Sequence, residues 1–384
     1  MNPLFASLGT SVFAHMSALA AEHGAVNLGQ GFPDFGWPED VLARAAEAVL
    51  HGSNQYAPMR GLAELREAVA VHYRTHQGLD FSAEQVTITS GATEAIAAAL
   101  LSLISPGDEV VLFQPLYDSY LPIVRAAGGV PRLVRLTPPG WRITDEALAK
   151  AFGERTRLVV FNNPHNPSSR LFDEEEMRLL ADYCVRHDAL AVADEVWEHL
   201  VFDGRRFTPL AALPGMAERT VKIGSAGKIF SVTGWKVGWS IAPPALANAF
   251  ANAHQFLAFS TAPSLQAAVA YGLGKDRAYF DGMRAAFAAA RDRFASALEG
   301  AGFATLPAEG SYFVSIDLAA SGIAAGDVAF CERAVRECGV AAIPVGAFYA
   351  QDPVTSVVRL CFAKREETLA AGLEGLTRAR ALFA

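Results

Sequence analysis

From residue 84 to residue 210, short β-rich runs alternate with helical patterns. That alternation leaves few folds open. Neighbouring parallel strands need a crossover long enough to hold a helix, so the product is a parallel sheet covered by helices. Residues 85–89, 109–113, 158–161 and 190–193 read as strands, with helices expected at 92–104, around 120–127, where Gly128-Gly129 stops the chain, and at 174–187. Two further strands are expected at 221–224 and 237–242, before a long helical region from 245 to about 300. The pattern then changes to α+β, with strands at 313–316, 340–343 and 357–361 and a closing helix from Glu366. The fold class is α/β, a large domain on a mostly parallel sheet joined to a smaller α+β domain.

With 384 residues the chain has room for two domains. The expected division is an N-terminal arm with part of the small domain (1–45), a large domain (46–280) and a small C-terminal domain (281–384). The arm has few local partners and is expected to pack on the C-terminal domain or on a second subunit. A net charge of −8 with no concentrated basic patch excludes nucleic acid and anionic membranes as partners, since Arg205-Arg206-Phe207 is too short to count. The four cysteines show neither CxxC nor zinc spacing and read as reduced thiols, so no metal is expected. The first residues lack a basic stretch and an apolar core suited to secretion, and no apolar run approaches a membrane span. The expected location is cytoplasmic.

The candidate chemistry lies at junctions between strands and loops. Lys228 follows Gly-Ser-Ala-Gly, a small-residue turn that lets a ligand approach closely, and Lys236 stands eight positions on. A flexible surface loop is the plain alternative, while a nucleotide P-loop fails because Lys222 and Ile229 occupy two of its required places. Asp194 follows an apolar strand, at the sheet edge where open α/β folds bind ligands. Ser90-Gly91-Ala92-Thr93 opens a helix whose free N–H groups suit a phosphate, or simply form a turn and cap. Tyr117 suits stacking on a ring or plain packing, and Asn166, between prolines, suits a bond to a phenolic oxygen or a turn. Arg359 offers a fork for a carboxylate, or a structural ion pair.

In this order the residues resemble the fold-type I, pyridoxal-phosphate-dependent aminotransferases of class I/II, nearest the kynurenine–oxoglutarate, glutamine and methionine transaminase branch. The resemblance is carried by VNLGQGFPDF (26–35), NQYAPMRG (54–61), TSGATEAI, NNPHNP, ADEV, GSAGKIFSVTGWKVGW, GSYF (310–313), IPVGAFY (343–349) and VRLCFAK (358–364). It implies a three-layer large domain on a seven-stranded sheet, pyridoxal 5'-phosphate as cofactor, and a homodimer with active sites at the subunit interface. It also implies residue roles. Lys228 would form the Schiff base and shuttle the proton, and Asp194 would pair with the pyridinium nitrogen. Asn166 would bond the ring's phenolate oxygen and Tyr117 would stack on its face. Gly91, Ala92, Thr93, Ser225 and Lys236 would surround the phosphate, with Tyr56 reaching it from the other subunit. Arg359, helped by Asn166 and the backbone near Gly31, would fix the substrate carboxylate. The partners implied are an amino acid and a 2-oxo acid, reacting by a ping-pong mechanism.

Two positions depart from the pattern. Trp197 stands where the branch carries a tyrosine after Asp-Glu-Val, so a phenol near the cofactor is replaced by an indole that donates but cannot ionise. Ser168-Ser169-Arg170 replaces a common Thr-Gly or Leu-Gly pair in a loop. Phe13, Phe259, Phe348 and Tyr349 fall in segments that line the substrate side in this branch, pointing to an apolar, aromatic, methionine or glutamine-like donor. No motif marks a second arginine for a dicarboxylate, although Arg60 leaves that open. A cysteine-conjugate-type β-lyase is the alternative, because the same lysine can eliminate a β-substituent. A ligand-sensing regulator would carry a DNA-binding domain ahead of this fold, and the resemblance begins within about the first 30 residues, too few for one.

Overall fold

The computed structural model describes residues 1–383. Its large sheet has seven strands: β1 (Val86–Ser90), β2 (Glu109–Gln114), β3 (Val130–Arg135), β4 (Thr156–Asn162), β5 (Leu190–Asp194), β6 (Thr220–Ser225) and β7 (Val237–Ile241). They lie in the order β1-β7-β6-β5-β4-β2-β3, all parallel except that β7 runs antiparallel to both of its neighbours. The central strands β2, β4 and β5 are apolar on both faces because both faces are covered, as parallel sheets require. Leu112, Val160 and Val192 pack with Ile96 and Leu100 of helix Gly91–Leu103. The alternate residues Val111, Val159 and Ala191 pack with Met177 and Leu180 of helix Glu174–Arg186. That second helix starts at a capping box, in which Asp173 and Glu176 reciprocally satisfy free N–H groups.

The smaller sheet is antiparallel throughout. It contains β8 (Ala304–Leu306), β9 (Phe313–Asp317), β10 (Ile343–Pro344) and β11 (Val357–Cys361), in the order β10-β11-β9-β8. The N-terminal arm joins this part of the molecule, since Val26–Asn27 pairs in parallel with Val340–Ala341.

Several expected elements differ in detail. The run at 340–343 is not one strand. It splits at Ala342, giving one half to the arm and the other to β11. The helical region after 245 is three helices, Pro244–Leu257, Pro263–Leu273 and Arg277–Gly300, the second started by proline and the third capped by Asp276. Strands β3 and β8 and helices Glu39–His51, Ala63–Gln77 and Asp327–Cys338 were not expected from the sequence. Among the described residues no helix is long and apolar enough to cross a membrane.

Candidate active site

The carboxyl ends of the parallel strands converge on one cavity. β6 ends at Ser225 and passes straight into a single helical turn, Ala226–Ile229, that carries Lys228. The small-residue turn is therefore helical, and its glycine allows close packing: a Cβ on Gly227 would lie 2.9 Å from Thr233 Cα. Lys228 is partly buried, with Nζ 3.0 Å from Tyr312 Oη, 3.4 Å from Gly31 O and 4.6 Å from the centre of the Trp197 ring. None of these partners is charged. Burial, aided by Arg359 and Lys236 nearby, pushes the amine down to about 8.

Asp194 closes β5, buried and in register with Asn162 of β4. The Tyr120 hydroxyl donates to its carboxylate, yet burial still raises the group above the usual carboxylate range. Asn162 donates to Asp194 O at 2.8 Å and accepts from the Asn166 backbone N–H at 2.7 Å. Asn166 Oδ1 in turn accepts from Arg359 Nη1 at 2.7 Å, which leaves only its NH₂ to donate elsewhere. An acceptor such as a phenolate oxygen suits that remaining donor.

Arg359 sits within β11 with 1% of its surface exposed. Its partners are Asn166 Oδ1 and Gly29 O, neither of them charged, and Nε has no partner. The guanidinium lies 3.8 Å over the Phe313 ring, and burial lowers it to about 10. The structural ion pair considered for Arg359 is thus replaced by neutral contacts, and a buried cation of this kind suits a ligand carboxylate. Phe13 and Phe348 pack edge to face 5.4 Å apart and flank the same guanidinium at 5.2 and 5.5 Å.

Helix Gly91–Leu103 begins where β1 ends, and the N–H groups of its first turn have no acceptor within the helix. Gly91 has φ +76°, and a Cβ there would lie 3.2 Å from both Cε and Nζ of Lys236. The lysine amine therefore sits beside the helix N-terminus, where backbone dipoles already favour an anion. Lys236 itself holds a left-handed φ of 54°.

The cavity measures about 210 Å³, and every residue expected to hold the cofactor lines it except Tyr56. Tyr56 is 84% exposed and packs against Phe259 with ring centres 5.5 Å apart, so within one chain it stays outside. Trp197 lines the cavity and meets Tyr312 edge to face at 4.4 Å. Of the segments read as lining the substrate side, Phe13 and Phe348 approach Arg359, whereas Tyr349 turns away to donate to Leu136 O at 2.7 Å. Sequence reasoning missed Tyr120, Asn162, Thr233 and Tyr312. Asn162, Thr233 and Tyr312 lay inside the quoted NNPHNP, GSAGKIFSVTGWKVGW and GSYF motifs without being singled out, and Tyr120 carried no local signal. The four cysteines are free and buried, and among the described residues no group of three or more His, Cys, Asp or Glu is arranged to hold a metal.

A helix end beside a lysine, a buried carboxylate and an amine without an ion-pair partner surround one cavity, a donor set whose chemistry suits a phosphorylated, nitrogen-containing ring that reacts with an amine. The family model "Aminotransferase class I and II" matches residues 23–376, and the chain belongs to that family. It is 40% identical over 370 residues to the methionine aminotransferase of Escherichia coli, covering 96% of each chain. It is 43% identical over 374 residues to a probable N-succinyldiaminopimelate aminotransferase of Mycobacterium tuberculosis, covering 94% of each. The solved structure of N-succinyldiaminopimelate aminotransferase from that organism superposes with a TM-score of 0.94 at 43% identity, over 97% of each chain. The protein is a pyridoxal-phosphate-dependent aminotransferase, and the amino-transferring relatives favour transfer over elimination of a β-substituent. The donor set fits the cofactor: Lys236 and the helix end match its phosphate, Asp194 its ring nitrogen and Asn166 Nδ2 its phenolate.

Proposed function

We propose that Lys228 holds the cofactor and moves the proton during transfer of an amino group from an L-amino acid to a 2-oxo acid, in two half-reactions on one site. Bound pyridoxal phosphate supplies a carbonyl and an electron-withdrawing ring that acidify the bond between the substrate's Cα and its hydrogen. The observation that carries the assignment is the pair of cations without carboxylate partners, Lys228 and Arg359, beside the buried carboxylate of Asp194. An amine lowered to about 8 is neutral in a useful fraction at neutral pH, so Lys228 can act as nucleophile and then as base. Arg359 binds the substrate carboxylate with its fork, oriented by Asn166 and Gly29. Asp194, kept desolvated and held by Tyr120, stabilises positive charge on the ring nitrogen. Gly91, Ala92, Thr93, Ser225 and Lys236 would bind the phosphate, Tyr117 would stack on the ring's face, Trp197 would stand beside the ring in place of the branch's phenol, and Gly31 would complete the carboxylate site with its backbone.

The phenyl rings of Phe13 and Phe348 beside Arg359 support an apolar, aromatic, methionine or glutamine-like donor. A methionine aminotransferase among the relatives agrees with that reading. We further infer a cytoplasmic homodimer in which Tyr56 reaches the partner's phosphate site. Its exposure, together with that of Phe256 at 85%, supports this reading. The division at residues 45 and 280 follows the same scheme, supported by the pairing of Val26–Asn27 with Val340–Ala341.

The test is Lys228→Ala beside the parent. The parent should show the absorbance of covalently held cofactor and turn over amino acid with a 2-oxo acid acceptor, and the variant should lose both. Retention of both in the variant sinks the assignment.

A further inference from the structure

Tyr312 is buried completely, yet its hydroxyl is the nearest polar group to the Lys228 amine. The Tyr312 O–H donates to Gly31 O, so its oxygen accepts from Lys228 Nζ at 3.0 Å, and Gly31 O is a second acceptor for the same amine at 3.4 Å. Two acceptors on one side of an sp³ nitrogen hold its N–H bonds there and turn the lone pair of the neutral amine the other way.

The acceptors are rigid. The phenol is fixed between Trp197 at 4.4 Å and Phe313 at 5.0 Å, both edge to face. Gly31 is seated flush on the same rings, since a Cβ there would fall 2.8 Å from Phe313 Cζ. Two residues back, Gly29 O accepts from Arg359 Nη2 at 2.9 Å. One short stretch of backbone, Gly29 to Gly31, therefore references both the reactive amine and the carboxylate fork.

We propose that Tyr312 is a positioning residue for Lys228. Together with Gly31 it parks the free amine at a set orientation relative to Arg359, so that a substrate held by its carboxylate presents its Cα hydrogen to the lone pair. This rests on reading Lys228 as the residue that moves the proton. The role belongs to the stage at which the amine is free, so it affects proton transfer more than substrate capture.

Tyr312→Phe removes one hydroxyl and keeps the ring packing. Loss of one hydrogen bond should lower kcat about tenfold and leave KM for the amino donor within about twofold. The isotope effect from an α-deuterated donor should rise, because proton transfer becomes slower. A second readout uses cofactor-free protein: the pH dependence of Lys228 acetylation, followed by peptide mass spectrometry. Its midpoint should fall by up to about one pH unit, since an acceptor that favours the ammonium is gone. Gly31→Ala, which presses on the Phe313 ring, should shift the same two readouts in the same direction. A folded Tyr312→Phe variant with unchanged kcat, isotope effect and labelling midpoint overturns the proposal, as does a variant altered only in KM. If Lys228→Ala remains active, the reading of Lys228 fails. If that variant is inactive while Tyr312→Phe matches the parent, only the role of Tyr312 fails.

Discussion

Two lysines six residues apart meet burial in opposite ways. Lys222, inside β6, has no exposed surface and donates to Glu195 and, at 2.6 Å, to Glu198. Lys228, one helical turn past the end of β6, touches a phenol, a carbonyl and an indole ring. Desolvation works against the charge of both. The two carboxylates outweigh it at Lys222 and raise that amine above its ordinary value, whereas at Lys228 the opposing pull of Cys361 and Asp194 is too weak to do so, and the amine falls to about 8. A buried lysine becomes a reactive amine through the absence of a counter-ion, and the same strand supplies both cases. The carboxylates that neutralise Lys222 belong to the stretch that begins with Asp194, so a single segment carries the charge for the cofactor and the charges for the framework.

The largest effect on this contrast should come from breaking the framework pair. Lys222→Met leaves Glu195 and Glu198 buried without their cation, held only by Tyr73, Gln77 and the Leu210 N–H. Removing one partner of a buried pair costs about 3–5 kcal/mol, so the urea midpoint of the variant should fall sharply. Adding Glu195→Gln and Glu198→Gln should recover much of the loss, because neutral amides need no counter-ion. If Lys222→Met alone is neutral, the pair contributes nothing and the contrast with Lys228 loses its physical basis.

The next effect is a pair of opposite pH slopes in cofactor-free protein. Lys228 is lowered on folding, so between about 8 and its ordinary value the unfolded chain holds a proton that the native state lacks, and stability rises with pH. The slope is at most about 1.4 kcal/mol per pH unit, and Lys228→Met should abolish it. Lys222 is raised, so its contribution is fully present below its ordinary value and is lost only as pH climbs through the higher native value. Denaturant titrations of parent and Lys228→Met from pH 7 to 10 measure the difference. Parallel curves would mean that Lys228 is not lowered.

Strands buried on both faces were legible in the sequence because an uninterrupted apolar run has few other uses. β3 was not. It is an edge strand carrying Pro131, Arg132 and Arg135, with residues partly facing water. The site was legible where its residues close a strand or lie just past its end, as Asp194, Ser225 and Lys228 do. Lys222 looked like any strand lysine, since its meaning comes from Glu195 and Glu198 across the neighbouring strand's loop. Tyr120 was silent, and Tyr312 sat in a quoted motif that gave no hint of its partner. Each acts on a residue more than 70 positions away, 84 for Tyr312 to Lys228 and 74 for Tyr120 to Asp194, and no local period encodes such a meeting.

The smallest effect concerns the hydroxyl that holds Asp194. Tyr120 is buried, and its O–H donates to Asp194, the one carboxylate that lines the cavity. Burial already raises Asp194, and the Tyr120 donor acts against that rise by favouring the ionised form. Tyr120→Phe removes the donor without opening the core, so the carboxyl should protonate more readily and pair less well with a cationic ring nitrogen. A single hydrogen bond of this kind accounts for about a tenfold loss of cofactor affinity at neutral pH, read by equilibrium titration of the cofactor-free variant. The loss should shrink as pH rises, because higher pH restores the carboxylate without help from the phenol. A deficit that stays constant across pH would assign Tyr120 to shaping the cavity wall rather than to setting the charge of Asp194. The contrast drawn from the lysines would then not extend to the carboxylate opposite them.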